Sequence, residues 1–470
     1  MRTSGPITVI GGGPAGLSAA YELATRAAVV AVYEQGDRVG GLARTVTHHG
    51  YRFDIGGHRF LTKAPEVQRL WEHVMGSEFI SVNRLSRIYY RQRFFDYPIT
   101  IPNVVRNLGL WESFLLAASY VRAKLPPRGE EETFEQWVTS RFGGRLYRTF
   151  FSAYTRKVWG IPGSEIRADW AVQRIKGLSV RAALRQALVG DSEVKTLSRT
   201  FLYPRLGVGQ MWERLADLVV AAGGKVHLRT EVTRLCHDGS RVTSLDVLEG
   251  GRTTTLPASE VVASVPLVCL LEWLDPRPPA AVLEAVRGLR YRDYIMVGLI
   301  IETPRAFPDN WIYVHDPAVR VGRVQNFGNW SAAMVPDEGR TSLGMEYFCS
   351  VGDDLWSMSD GALRDLAVRE AHQLGLALPS QVVDSCVVRQ PKAYPVYDDS
   401  YRGRVEAVRS YLARFHNLQT IGRNGTHRYN NQDHSTVAGL LAARNILGER
   451  HDTWDINTDA LYLEEQSGNA

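Results

Sequence analysis

Residues 6–41 read PITVIGGGPAGLSAAYELATRAAVVAVYEQGDRVGG, and this stretch decides the fold. Pro6 to Ile10 is an apolar run of strand length. Gly11, Gly13 and Gly16 follow in the G-x-G-x-x-G pattern, and Leu17 to Ala24 has the apolar density of a helix packed on a sheet. The glycines are needed for steric reasons. Gly11 admits a tight turn, Gly13 lets backbone approach a pyrophosphate at the helix N-terminus, and Gly16 lets helix and strand close up. Pro14 and Ala15 complete the first helical turn. A second strand, VVAVYE, ends at Glu34, eighteen residues beyond Gly16, with Gln35 next to it. A carboxylate there takes a ribose 2′-OH and repels a 2′-phosphate. The stretch predicts a βαβ unit that holds a dinucleotide.

The following residues favour FAD over NAD. DRVGGLART supplies Arg38, Gly40, Gly41, Leu42 and Arg44, and FDIGGHRF at 53–60 supplies Gly56, Gly57 and His58. Glycine pairs permit close backbone contact, and planar guanidinium forks suit phosphate or the edge of a flavin ring. The arrangement resembles the group of FAD-dependent amine oxidases, protoporphyrinogen oxidases and UDP-galactopyranose mutases.

The 470 residues are 44% hydrophobic and 22% charged, enough for two or three lobes around sizeable cores. The formal charge is +5 with acids dispersed among the bases, so no nucleic-acid partner is expected. Cys236, Cys269, Cys349 and Cys386 form no CxxC pair and fit reduced thiols in a cytoplasmic protein. The first apolar segment breaks at once into the glycine turn, so it is read as cofactor fold and not as a leader. No run reaches the roughly 20 apolar residues that cross a bilayer. The segment 108–125, LGLWESFLLAASYVRAKL, is read as a packed helix. His48 and His49 are read as an exposed pair, and no metal site is expected.

The fold class is α/β: a Rossmann-type FAD-binding domain discontinuous in sequence, a mixed-sheet substrate domain and a helical insertion. Residues 1–62 begin the FAD domain, 63–200 are a largely helical cap region, and 201–286 return to the FAD domain. Residues 287–415 form the substrate-domain sheet, 416–452 the C-terminal FAD segment and 453–470 a tail. Val232 falls where such folds place backbone against adenine.

Four separated pieces sharpen the resemblance. YTRKVWGIPGSEIRADWAVQR (154–174) looks like the UDP-galactopyranose mutase segment in which a KVW core leads to Trp and Arg, and GRVQNFGNW (322–330) looks like the arginine-bearing strand of those enzymes. GRNGTHRYNNQDHS (422–435) is similar to their C-terminal flavin and substrate segment, and AYPV (393–396) adds a tyrosine. The NGTH stretch and Gln325–Asn326 depart from the mutase pattern, which implies a rebuilt sugar pocket.

The resemblance implies roles. Arg174 and Arg323 would clamp a nucleotide diphosphate, and Tyr429 and Tyr394 would donate hydroxyls to it. Trp159, Trp170, Asn329 and Arg428 would shape the chamber. His58 would sit beside the flavin ring, and Gly422, Arg423, Asp433, His434 and Ser435 would contact FAD. Asp433 also reads as the N-cap of the STVAGLLAARNI helix. Two functions stand open. One is a nucleotide-sugar mutase working through a reduced-flavin N5–sugar adduct, with an external flavin reductant. The other is an FAD-dependent oxidoreductase that removes hydride from an amine, alcohol or ring carbon and needs an electron acceptor. Redox balance separates them.

Overall fold

The computed structural model describes residues 5–125, 131–168 and 200–456. The opening stretch forms the expected unit. Strand Ile7–Ile10 is fully buried, helix Pro14–Thr25 follows, and strand Val30–Tyr33 returns parallel to the first. These two strands lie within a five-stranded parallel sheet whose order is Leu418–Thr420, Glu260–Ala263, Ile7–Ile10, Val30–Tyr33, Lys225–His227. The sheet is thus assembled from four distant parts of the chain. Parallel strands buried on both faces read as unbroken apolar runs, which is why ITVI and VAVY carry no alternation.

The helices covering this sheet approach very closely. A Cβ on Gly439, in helix Gln432–Ile446, would lie 2.3 Å from the Ala15 carbonyl oxygen. Glycine on one helix and alanine on the other let the C-terminal segment press its N-terminal turn against the glycine-rich loop.

A seven-stranded sheet forms the second layer. Its order is Val382–Pro395, Tyr291–Ile301, Thr341–Cys349, Arg323–Asn326, Trp311–Val314, Ser86–Tyr90, Arg93–Asp96. Neighbours are antiparallel except for the parallel pair Trp311–Val314 with Ser86–Tyr90. Two strands at one edge therefore come from the region expected to be largely helical; SRIYY alternates only weakly, and its partner is far away in sequence. Strands Thr230–His237, Val242–Glu249 and Arg252–Pro257 pair antiparallel in a separate four-stranded sheet beside the first, completed by the short parallel strand Leu274–Asp275.

Segment 108–125 does form a helix, part of Ile101–Lys124, but it is not packed as expected. Leu110, Trp111, Phe114 and Val121 are exposed and only Leu116 is buried. The helix is held instead by polar contacts: Glu112 takes a bidentate fork from Arg145, and Ser119 Oγ accepts from the Arg145 N–H. No helix among the described residues is long and apolar enough to cross a membrane.

Candidate active site

The dinucleotide cradle is built by steric exclusion. A Cβ on Gly16 would sit 2.0 Å from the Gly11 carbonyl oxygen, so only glycine lets helix Pro14–Thr25 rest on its strand. No side chain caps that helix, which leaves its N-terminal N–H groups and dipole facing outward for an anion. Gly41, at φ +52°, brings its own backbone against Gly13, where a Cβ would lie 3.2 Å from the Gly13 Cα. The Gly40 N–H donates to the Gly12 carbonyl at 2.8 Å and closes this loop over the turn.

Glu34 does something the sequence did not suggest. Its two oxygens accept the Gly12 and Gly36 N–H groups, each at 2.8 Å, so it first fixes the glycine-rich turn. An ionised carboxylate has about four acceptor positions, which leaves two for a ribose. Gln35, next to it, is exposed. Val232 is buried in a strand that starts where the Thr230 N–H donates to the Glu34 carbonyl. Arg38 donates to the Thr45 carbonyl, and Arg44 to the Gly41 carbonyl and to Gln390 Oε1. The partly buried Leu42 packs against the apolar core of the substrate sheet.

At the other end of the cradle, Gly422 takes φ +77° beside Ala15, and buried Asp433, His434 and Ser435 fill the first turn of helix Gln432–Ile446. The N-cap is Asn431 and not Asp433: the Asn431 side chain accepts the His434 backbone N–H, and the Asn431 N–H donates to His434 Nδ1 at 3.1 Å, while Asp433 Oδ1 lies 3.2 Å from that same Nδ1. Asp433 Oδ2 and His434 Nε2 are buried with no hydrogen-bond partner. Buried polar atoms are nearly always satisfied, so this turn fits a polar cofactor edge.

One face of the seven-stranded sheet forms the floor of a cavity of about 160 Å³. Side chains two apart on a strand share a face, and register aligns them across the sheet. Tyr313 lies opposite Arg323, and Arg323 opposite Glu346. One rung along, Trp311 lies opposite Gln325. Trp330 donates its indole N–H to Gln325 Oε1 at 3.0 Å, and Gln325 Nε2 donates to Glu346 Oε1 at 2.9 Å. Arg323 Nε donates to Glu346 Oε2. Glu346 is fully buried, and the Arg323 side chain is 16% exposed where it meets the cavity. Burial pulls the Arg323 pKa down more than any single neighbour raises it, but the Glu346 charge together with Tyr394, Tyr154 and Tyr294 outweighs it and holds the guanidinium well above its ordinary value.

The Gly56–His58 loop and Arg59 line the cavity from above, with Tyr429, Asn431 and Gln432 alongside. His58 Nδ1 lies 3.1 Å from the Gly56 carbonyl. A carbonyl can only accept, so Nδ1 carries the proton and Nε2 is the acceptor. Burial, with Arg423 and Arg323 adding to it, pushes the His58 pKa down to about 3, so the ring is neutral at physiological pH.

An aromatic cluster closes one side. Tyr394 and Tyr429 stack at 5.5 Å and 15°, and Trp159 meets both rings edge-on. Arg423 lies over Tyr429 at 4.6 Å and is pinned by the Asn430 and Ala393 carbonyls, so its fork organises the cluster. Burial, reinforced by Tyr429, pushes Tyr394 up to about 12, which keeps its hydroxyl protonated.

Several expected site residues lie elsewhere. Asn329 spends its amide on the Phe307 and Asp309 carbonyls, and Arg428 donates to the Ile456 carbonyl; both are structural braces. Arg174 and Trp170 lie outside the described residues. Sequence reasoning misses Arg59, Trp311, Tyr313, Trp330 and Glu346. Glu346 does leave a signal, a lone carboxylate in the otherwise uncharged run TSLGMEYFC, because carboxylates are almost never fully buried without a partner.

Buried His315 and His427, with the partly buried His58, set an acid limit on the fold. Burial lowers His58 and His315 to about 3 and His427 to about 4, against an ordinary value of 6.5. The unfolded chain thus binds more protons than the native one below pH 6.5, so stability is full above that pH and is lost as pH falls towards 4. Asp54, raised by burial to about 6, works in the opposite direction over part of this window and offsets one histidine. Thermal unfolding is expected to show a lower midpoint at pH 5 than at pH 7.5. His427→Gln should flatten that slope, and an unchanged slope would refute the assignment.

The profile of the flavin containing amine oxidoreductases matches residues 14–414. The coproporphyrinogen III oxidase of Mycobacterium leprae is 27% identical over 87% of this chain and 92% of its own. A crystal structure of reduced UDP-galactopyranose mutase superposes with a TM-score of 0.83 at 21% identity, covering 95% of this chain and 96% of that one. Putrescine oxidase bound to putrescine gives 0.62 at 17% identity, covering 94% and 99%. The chain binds FAD and belongs to the flavin-containing amine oxidoreductase family of enzymes.

Proposed function

We propose that this enzyme is an FAD-dependent oxidoreductase that removes hydride from a small acidic substrate lying over the Arg323–Gln325 face. The observation that carries this reading is the buried Arg323–Glu346 pair. A diphosphate clamp needs uncompensated positive charge, and the Arg323 charge is already matched by a carboxylate directly across the sheet. The pair leaves a neutral polar floor suited to orienting a donor carbon. Family membership and the oxidase relatives support the same reading.

Bound FAD would supply the two-electron acceptor. His58 Nε2 would accept a hydrogen bond from a substrate N–H or O–H and so fix which C–H bond faces the flavin. Hydride would leave that carbon for FAD, the N–H or O–H proton would pass to solvent, and a separate electron acceptor would take up the two electrons. The acidic group would be met at Arg59. Its guanidinium lies 5.5 Å from the Trp311 ring centre, with Arg84 5.9 Å from the same centre, and neither has an ion-pair partner among the described residues.

Arg59→Ala is expected to raise KM tenfold to a hundredfold with kcat little changed, from the roughly 1.5–3 kcal/mol of a charged hydrogen bond. The decisive test mixes oxidised holoenzyme anaerobically with acidic amines, alcohols and reduced ring compounds and follows flavin bleaching. Bleaching by an acidic donor supports the reading. Rearrangement of a nucleotide sugar by reduced enzyme without net flavin oxidation would overturn it in favour of the mutase, whose paired hydroxyls Tyr394 and Tyr429 would match.

A further inference from the structure

The hairpin that leads into the Gly56–His58 loop carries an unusual turn. Strands Thr45–His48 and Tyr51–Asp54 pair with His48 opposite Tyr51, leaving His49 and Gly50 as a two-residue connection. Both have positive φ, +48° and +85°. Such turns favour Asn, Asp or Gly at the first position; here it holds a histidine. Adjacent residues on a strand point to opposite faces, but the left-handed turn swings His49 back until its ring lies 4.1 Å from that of His48.

Both rings then meet one carboxylate from a distant strand. Asp384 Oδ2 lies 3.0 Å from His48 Nε2 and 2.7 Å from His49 Nδ1, and the three donor atoms fall within 4.8 Å of one another. Asp384 Oδ1 accepts the Ser385 N–H, so Oδ2 is the oxygen presented to the rings. Among the described residues Asp384 has no Lys or Arg partner.

We propose that His48, His49 and Asp384 bind one divalent first-row transition ion. With metal–donor bonds of about 2.1 Å, donors in neighbouring octahedral positions stand about 3.0 Å apart and tetrahedral donors about 3.4 Å. The two Asp384 spacings, 3.0 and 2.7 Å, lie within a few tenths of an ångström of the octahedral value. Two imidazoles and a carboxylate suit zinc, nickel or copper, with water in the remaining positions. The ion would clip the hairpin that precedes His58 to the strand that ends beside Tyr394, so its role is structural and independent of the reaction proposed above. The sequence reading took the two histidines as an exposed pair, and His49 is 73% exposed while His48 is 27% exposed.

Tag-free, FAD-loaded protein stripped with chelator would be titrated with Zn²⁺ against a chromophoric chelator, and with Ni²⁺ by calorimetry. One equivalent is expected to bind, with affinity at least tenfold weaker in His49→Ala and in Asp384→Asn and no binding in the His48→Ala/His49→Ala double variant. Zn²⁺ should raise the unfolding midpoint of the wild type and leave that of the double variant unchanged. Unaltered affinity in the double variant, or no stoichiometric binding in the wild type, would overturn the site. Matching FAD content and metal-free midpoints establish that the variants fold.

Discussion

Gly16→Ala protein is expected to purify colourless, with flavin occupancy reduced at least tenfold. The added Cβ would stand 2.0 Å from the Gly11 carbonyl oxygen, far inside any contact distance, and the neighbour is backbone that cannot rotate away. Helix Pro14–Thr25 must therefore lift off strand Ile7–Ile10, which carries the uncapped helix N-terminus away from where a pyrophosphate binds. Overpacking of this kind costs about 1–3 kcal/mol in a tight core. Gly403→Ala makes the control, because a Cβ there meets nothing within 4 Å. In a helix that change is expected to stabilise by about 0.5–1 kcal/mol with full flavin content. The ratio of flavin to protein absorbance reads both. A yellow Gly16→Ala enzyme with an unchanged unfolding midpoint would show that the glycine-rich turn does not set the cofactor site.

The cofactor half of the molecule was legible because its chemistry is local. Gly11, Gly13, Gly16 and Glu34 act within one βαβ unit, where spacing alone fixes geometry. The substrate half was legible only in part. Arg323 and Tyr429 stand out in short motifs, yet the partner that sets the charge state of Arg323 is Glu346, and only strand register brings them together. Strand Ser86–Tyr90 escapes a sequence reading for the same reason, since it pairs with Trp311–Val314 across more than two hundred residues. Asn329 and Arg428 show the converse error. Polar side chains inside a suggestive motif can be consumed by backbone carbonyls, and no spacing rule reveals where those carbonyls lie. His48 and His49 gave no signal of convergence, because a left-handed turn and a third donor decide it.

The Arg323–Glu346 pair allows structure and chemistry to be separated by a double-mutant cycle of Glu346→Gln, Arg323→Met and the two combined. Glu346→Gln leaves a buried guanidinium without its counter-charge and is expected to destabilise the protein by about 3–5 kcal/mol, as breaking a buried pair generally does. Arg323→Met/Glu346→Gln removes both charges, while the amide oxygen introduced at position 346 can still accept from Gln325. Replacing a buried pair by uncharged side chains is often neutral, so this variant should recover most of the lost midpoint. Turnover should not recover, because Arg323 lines the cavity and its fork would be gone. Retained activity in the double variant would reduce Arg323 to a structural brace. The same cycle bears on the reaction. If Arg323 were a diphosphate clamp held in check by Glu346, Glu346→Gln would free its charge and tighten the binding of UDP. If the pair serves as a neutral floor for hydride transfer, Glu346→Gln leaves UDP binding unchanged and lowers kcat on the acidic donor.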